Sequence, residues 1–100
     1  MRESEIERKL VHEVRQMGGM AYKFVSPGNT GVPDRIVVMP GGVIIFVELK
    51  AEAGRLTNGQ KRQISKLRGL GMKVVVIRGM AGLEDFLDEI HTARVPANRV

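Results

Sequence analysis

Asp34, Glu48 and Lys50 are the residues whose types and spacing most directly suggest chemistry. Asp34 opens one stretch rich in Val and Ile, Asp34 to Met39, and Glu48 and Lys50 close another, Val43 to Lys50. Pro40-Gly41-Gly42 separates the two stretches, so they read as the strands of a hairpin. Pro at the second turn position and Gly at the fourth predict a type I turn, with Gly42 in the left-handed conformation. Met39 then pairs with Val43, 38 faces 44, 36 faces 46, and 34 faces 48. Asp34 and Glu48 become cross-strand partners, with Cβ atoms roughly 4.5–5.5 Å apart on one face. Lys50 follows Glu48 by two residues and shares that face. A slip of one residue would scatter the three, so the site depends on this register.

Two carboxylates held that close repel, and one resists ionisation unless a cation lies between them. Mg²⁺ suits such a pair: it prefers hard oxygen ligands at about 2.0–2.1 Å and keeps water and substrate phosphate in its shell. A cation there can acidify a bound water and polarise a phosphoryl oxygen. Lys50 can hold the phosphate or stabilise the charge that develops on it. The structural alternative is that Asp34 merely opens a strand after Pro33 while Glu48 and Lys50 form a surface ion pair. Glu-x-Lys alone is common. Its combination with Pro33-Asp34, a tight hairpin and a buried apolar strand is far more specific, and clustered charges of this kind mark functional sites.

The rest of the chain supplies elements to hold that hairpin. Ser4 to Met17 reads as a helix, with Ile6, Leu10, Val11, Val14 and Met17 at helical spacing, Ser4 as N-cap and Gly18-Gly19 as the stop. Ala21 to Val25 reads as a short strand and Ser26 to Pro33 as a loop of turn formers. After the hairpin, Thr57 caps a second helix running to about Leu70, and Lys73 to Arg78 is a buried strand. Leu83, Phe86, Leu87 and Ile90 make a final amphipathic helix, and a tail from about 92 to 100, with Pro96, is expected to fray. The order is an α/β architecture, αβββαβ with a mixed central sheet flanked by helices, plus a C-terminal helix.

Composition narrows the function classes. One hundred residues form one domain with a modest core. No cysteine is present, which excludes disulfides and thiolate metal sites, and the two histidines, His12 and His91, make a zinc site unlikely to form from nitrogens. The longest apolar run, Val43 to Val47, is far too short to cross a bilayer, and the N-terminus lacks a signal-peptide layout. A cytoplasmic location follows as the expectation. The formal charge of +5 favours polyanionic partners, nucleic acid first among them.

Pro33-Asp34 followed by Glu48-Leu49-Lys50 resembles the PD-(D/E)XK nuclease superfamily. Gly31-Val32-Pro33-Asp34-Arg35, Phe46-Val47-Glu48-Leu49-Lys50, Gly54-Arg55-Leu56-Thr57 and Gln60 are similar to its virus-type replication-repair (VRR-Nuc) branch, over about residues 3 to 78. The resemblance implies a restriction-endonuclease-like core and Mg²⁺-dependent phosphodiester hydrolysis, with Mn²⁺ as substitute. It implies that Asp34, Glu48 and the Leu49 backbone carbonyl bind the metal and that Lys50 orients or activates the attacking water. Stand-alone viral members resemble Holliday-junction resolvases, which implies a homodimer acting on branched DNA for repair or recombination, encoded by a phage or prophage within a bacterial host. Neither a membrane nor a small-molecule cofactor is expected.

Several residues admit two readings. The family usually adds a glutamate from the first helix, for which Glu7 is the choice because it falls among the sheet-facing Ile6, Leu10, Val11 and Val14. Ser4 to Glu7 is also a Ser-x-x-Glu capping box, and Glu3, one turn earlier, is the substitute. Thr57 to Gln60 is likewise a capping box, yet Gln60 shares a stripe with Ile64 and Leu67 that can bring its amide to the catalytic site. Arg55, Lys61, Arg62 and Lys66, together with Arg68, are candidate contacts to DNA phosphates, or a solvated helix face. Arg35 points to the opposite sheet face and is left out. Tyr22 and Phe24 read as core, and His12 and His91 take no role. Two rivals stand beside the endonuclease: an inactive DNA-binding or dimerisation module, and a nicking or restriction-type nuclease on linear DNA.

Overall fold

Val43 to Val47 is apolar without interruption, and a strand of that kind belongs where both of its faces and both of its edges are covered. The computed structural model, which describes residues 2–97 and side chains through 92, pairs both edges of this strand and buries Ile45 and Val47, while Val43 and Ile44 at its start stay exposed. Strand β3 (Val43–Lys50) lies between β2 (Arg35–Met39), its antiparallel neighbour, and β4 (Lys73–Arg78), which runs parallel to it. Strand β1 (Met20–Lys23) completes a four-stranded mixed sheet in the order β1-β2-β3-β4. Helix α2 (Asn58–Gly69) supplies the crossover from β3 to β4. Helices α1 (Glu3–Gln16) and α3 (Gly79–Ala97) begin and end the architecture.

Alternation along the strands sorts the helices into two layers. Val37, Ile45, Val47, Leu49 and Ile77 point to one face and are buried against Ile6, Leu10 and Val14 of α1 and Leu83, Phe86 and Ile90 of α3. The other face is covered by α2 over β4 and the end of β3, where Ile64 of α2, Val74 and Glu48 are buried. Met20, Tyr22 and Ile44 stay exposed on that side, in register with Val38 and Ile36.

The hairpin register is the expected one: Met39 pairs with Val43, Val38 with Ile44, and Ile36 with Phe46. Its turn differs. Gly41 and Gly42 both have positive φ, at 91° and 81°. A positive φ at the third turn position fits a type II turn, not type I, and the pairing is unchanged by it.

Two ends differ from expectation as well. Arg2, not Ser4, is the N-cap of α1: its carbonyl accepts from the Glu5 and Ile6 N–H groups, and its own N–H donates to Glu5 Oε1 at 3.2 Å. Glu7 is therefore not part of a capping box. Helix α3 starts directly after β4 and its backbone continues through Ala97, so the expected fraying from 92 does not hold up to 97, while 98–100 lie outside the described residues. No helix among the described residues is long and apolar enough to cross a membrane.

Candidate active site

Strand β3 carries Glu48 into the interior, where only 1% of its surface is exposed. A buried carboxylate needs partners for its oxygens. Oε2 accepts from the Gln60 side-chain amide at 3.1 Å and lies 3.9 Å from Lys50 Nζ. Oε1 is buried with no hydrogen-bond partner. Burial first, and then the negative charge of Asp34, push the Glu48 carboxyl up to about 8, against the opposing pull of Lys50. A smaller repulsion from Glu3 acts in the same upward direction.

Asp34 stands one step beyond the last β2–β3 pair, Arg35 with Val47. The strand was expected to begin at Asp34; it begins at Arg35 because the Asp34 side chain takes over the pairing. Its Oδ2 accepts the Leu49 N–H at 2.7 Å, while its backbone carbonyl accepts the Phe24 N–H at 2.9 Å. Phe24 in turn packs on Phe46, ring centroids 5.6 Å apart, which backs the hairpin beside the site. Asp34, Glu48 and Lys50 are thus brought together as the register required.

Gln60 fulfils both of its readings at once. Its side-chain carbonyl accepts the Thr57 N–H at 2.8 Å, its backbone N–H donates to Thr57 Oγ1 at 3.1 Å, and its side-chain NH₂ reaches Glu48. One amide caps α2 and orients the buried carboxylate. The loop before Asp34 docks on this helix end through Gly31, whose φ is +84° and where a Cβ would lie 2.6 Å from the Gly59 backbone.

Glu7 does face the sheet, but toward Arg35. Its Oε2 accepts from Arg35 Nε at 2.8 Å, and Arg35 also donates to the Ala21 carbonyl at 3.0 Å. Arg35 points away from Glu48, as its strand position dictates, and there it meets α1. The acid of α1 that acts on Glu48 is Glu3. The Glu7–Arg35 pair was missed because nothing in the sequence joins residues so distant. Its only signal was a carboxylate on an apolar helix face, which requires a partner. Arg55, Lys61, Arg62 and Lys66 are exposed on α2 and the loop before it, and Arg68 is tied to the Val74 carbonyl at 2.8 Å.

A divalent cation fits these residues. Asp34, Glu48 and the Leu49 carbonyl offer hard oxygens alone, and the Glu48 oxygen with no partner is the kind of atom a cation satisfies. Among the described residues no three His, Cys, Asp or Glu side chains converge, so the donor set is a carboxylate pair completed by backbone and water. Mg²⁺, which retains several waters, accepts such a set.

Comparison with known proteins agrees with this geometry. The model of the VRR-NUC domain family matches residues 2–81. A curated protein of Acyrthosiphon pisum secondary endosymbiont phage 1, named "Putative nuclease p44", is 54% identical over 77 residues, which are 77% of this chain and 83% of that protein. A solved structure of a VRR-NUC domain superposes with a TM-score of 0.80 at 26% identity, covering 86% of this chain and 94% of the other. With its sheet, its acidic pair and its lysine in place, the chain belongs to the VRR-NUC nuclease family.

Proposed function

We propose that this protein is a divalent-cation-dependent endonuclease that hydrolyses phosphodiester bonds of DNA, branched DNA in particular. The buried Glu48 Oε1 without a partner, beside Asp34, is the observation that carries this reading. Asp34, Glu48 and the Leu49 carbonyl would hold the cation, Mg²⁺ or Mn²⁺ in its place, with Glu3 in the role expected of Glu7, which Arg35 holds on the opposite face of the sheet. When bound, the cation supplies Lewis acidity toward a phosphoryl oxygen and lowers the pKa of water. Lys50, 3.9 Å from Glu48, orients the attacking water and stabilises charge on the phosphate. Gln60 keeps Glu48 turned toward the cation, and Asp34 is held by the Leu49 N–H.

Arg55, Lys61, Arg62 and Lys66 would contact phosphates, which fixes register without reading bases and so favours selection by shape. The exposed apolar face of Met20, Tyr22 and Ile44 supports a second copy of the chain, and two sites on a two-fold suit paired cuts across a branch. The phage origin of the relative supports action in the cytoplasm of a bacterial host, in repair or recombination.

Cleavage of four-way, flapped and linear duplexes with and without Mg²⁺ tests the reading. Cutting of the branched substrates, abolished by EDTA and by Asp34→Ala, is expected. Equal cutting of linear duplex would remove the branch preference. Binding without any cleavage above the Asp34→Ala background would make the chain a DNA-binding module.

A further inference from the structure

The side of α1 turned toward β2 carries a feature the active site does not use. Arg8, His12 and Arg15, with Arg35 of β2 and Glu7, line a groove of about 420 Å³. Arg8, His12 and Arg15 follow at helical spacing and form one stripe. Glu7 and Arg35 neutralise each other at 2.8 Å, which leaves Arg8 and Arg15 as the uncompensated charges of the groove. Both are exposed, and among the described residues neither forms a salt bridge. Glu13 lies on the other flank of α1, where it lines a cleft with Glu84 and Asp88 of α3.

Two features tie the groove to the nuclease site. Arg35 follows Asp34 in the chain, and Glu3, one turn before Glu7, acts on Glu48. Arg35 therefore sets one end of the groove a single residue from Asp34 but on the opposite face of the sheet, and the groove runs from there along α1. Arg8 and Arg15 are separated by roughly 10 Å of helix axis, about three steps of one DNA strand at 3.4 Å each. The cations of α2 occupy the opposite layer of the sheet.

We propose that the Arg8–Arg15 face of α1 is a second phosphate track, which grips the DNA backbone on the side of the sheet opposite α2. It rests on the nuclease reading and adds to it a route for the DNA leaving the site. The helix-dipole benefit of Arg15 in the last turn is the structural alternative, and it predicts no effect on DNA.

Fluorescence anisotropy of a labelled duplex in EDTA tests the track, with log Kd followed against log salt concentration. Arg8→Ala/Arg15→Ala is expected to lower the salt slope by about 2, near one per phosphate contact. Arg8→Lys/Arg15→Lys should keep the slope, and Lys9→Ala, which removes one charge on the α3 flank, should leave it unchanged. An unchanged slope in the double alanine variant, or a fall of about 1 in Lys9→Ala, overturns the track. Mg²⁺-dependent cleavage by the unaltered chain, run in parallel, separates the two readings. If it cuts while the slope stays unchanged, only the track falls; if it neither binds nor cuts, both fall.

Discussion

Glu48 combines a charge that its surroundings oppose with an oxygen that they leave without a partner. Its folded pKa of about 8 exceeds the ordinary 4.5, so between those values the folded chain holds a proton that the unfolded chain has lost. The stability this contributes is fully present below 4.5 and is lost as pH rises through 8. The urea midpoint of the cation-free protein should therefore fall from pH 5 to pH 8, and Glu48→Gln should flatten that fall. Burial also ranks the ion pairs. Glu7–Arg35, at 30% and 20% side-chain exposure, should contribute about 1 kcal/mol. Lys73–Glu89 is shorter, at 2.7 Å, but both side chains are more than half exposed, and its loss should cost about 0.5 kcal/mol or less. Urea denaturation of Glu7→Gln and Glu89→Gln compares them. Arg35 was legible as a residue of the opposite sheet face, yet its pairing with Glu7 crosses from β2 to α1 and no local pattern encodes it.

At the scale of elements, the N-terminus of α2 joins the cap to the buried carboxylate of Glu48 through one side chain. Substitution separates the two roles. Gln60→Ala should cost about 1 kcal/mol in the cap and free Glu48 Oε2 from its donor. Gln60→Glu keeps an acceptor for the Thr57 N–H but sets a further carboxylate against Glu48, so its destabilisation should grow as pH rises. Denaturation of both variants across pH 5 to 8 distinguishes them. Gly31→Ala should destabilise by about 1–2 kcal/mol from the left-handed backbone alone, and more from the collision with Gly59, read as a fall in Tm. The hairpin was legible because a three-residue loop and two Val- and Ile-rich stretches leave one register, and that register carries the acidic pair. The start of α1 was not, because Arg2 caps with backbone groups and Glu5 where the sequence offered Ser4. The extent of α3 was hidden too, since Gly79, Gly82 and Pro96 are poor helix formers that tertiary packing and helix continuity override.

Across the whole molecule, α1 and α3 bury one face of the sheet while α2 covers the other over β4 and the end of β3. The acidic pair lies at the end of the central strand β3, where α2, the loop before Asp34 and the start of α1 converge. This convergence turns a common Glu-x-Lys into a site, and the sheet order that produces it was legible from the alternation of strand and helix patterns. The two-fold assembly proposed for the uncovered face depends on surface shape, which no periodicity encodes. The central claim is that the Glu48 carboxyl exchanges its proton for one divalent cation held together with Asp34. Calorimetric titration with Mn²⁺ at pH 7, in two buffers of different ionisation enthalpy, measures that exchange. Binding with release of about one proton per cation, tightening roughly tenfold per pH unit below 8 and abolished in Glu48→Gln, is the predicted result; Mn²⁺ binding equally well to Glu48→Gln, without proton release, would contradict it.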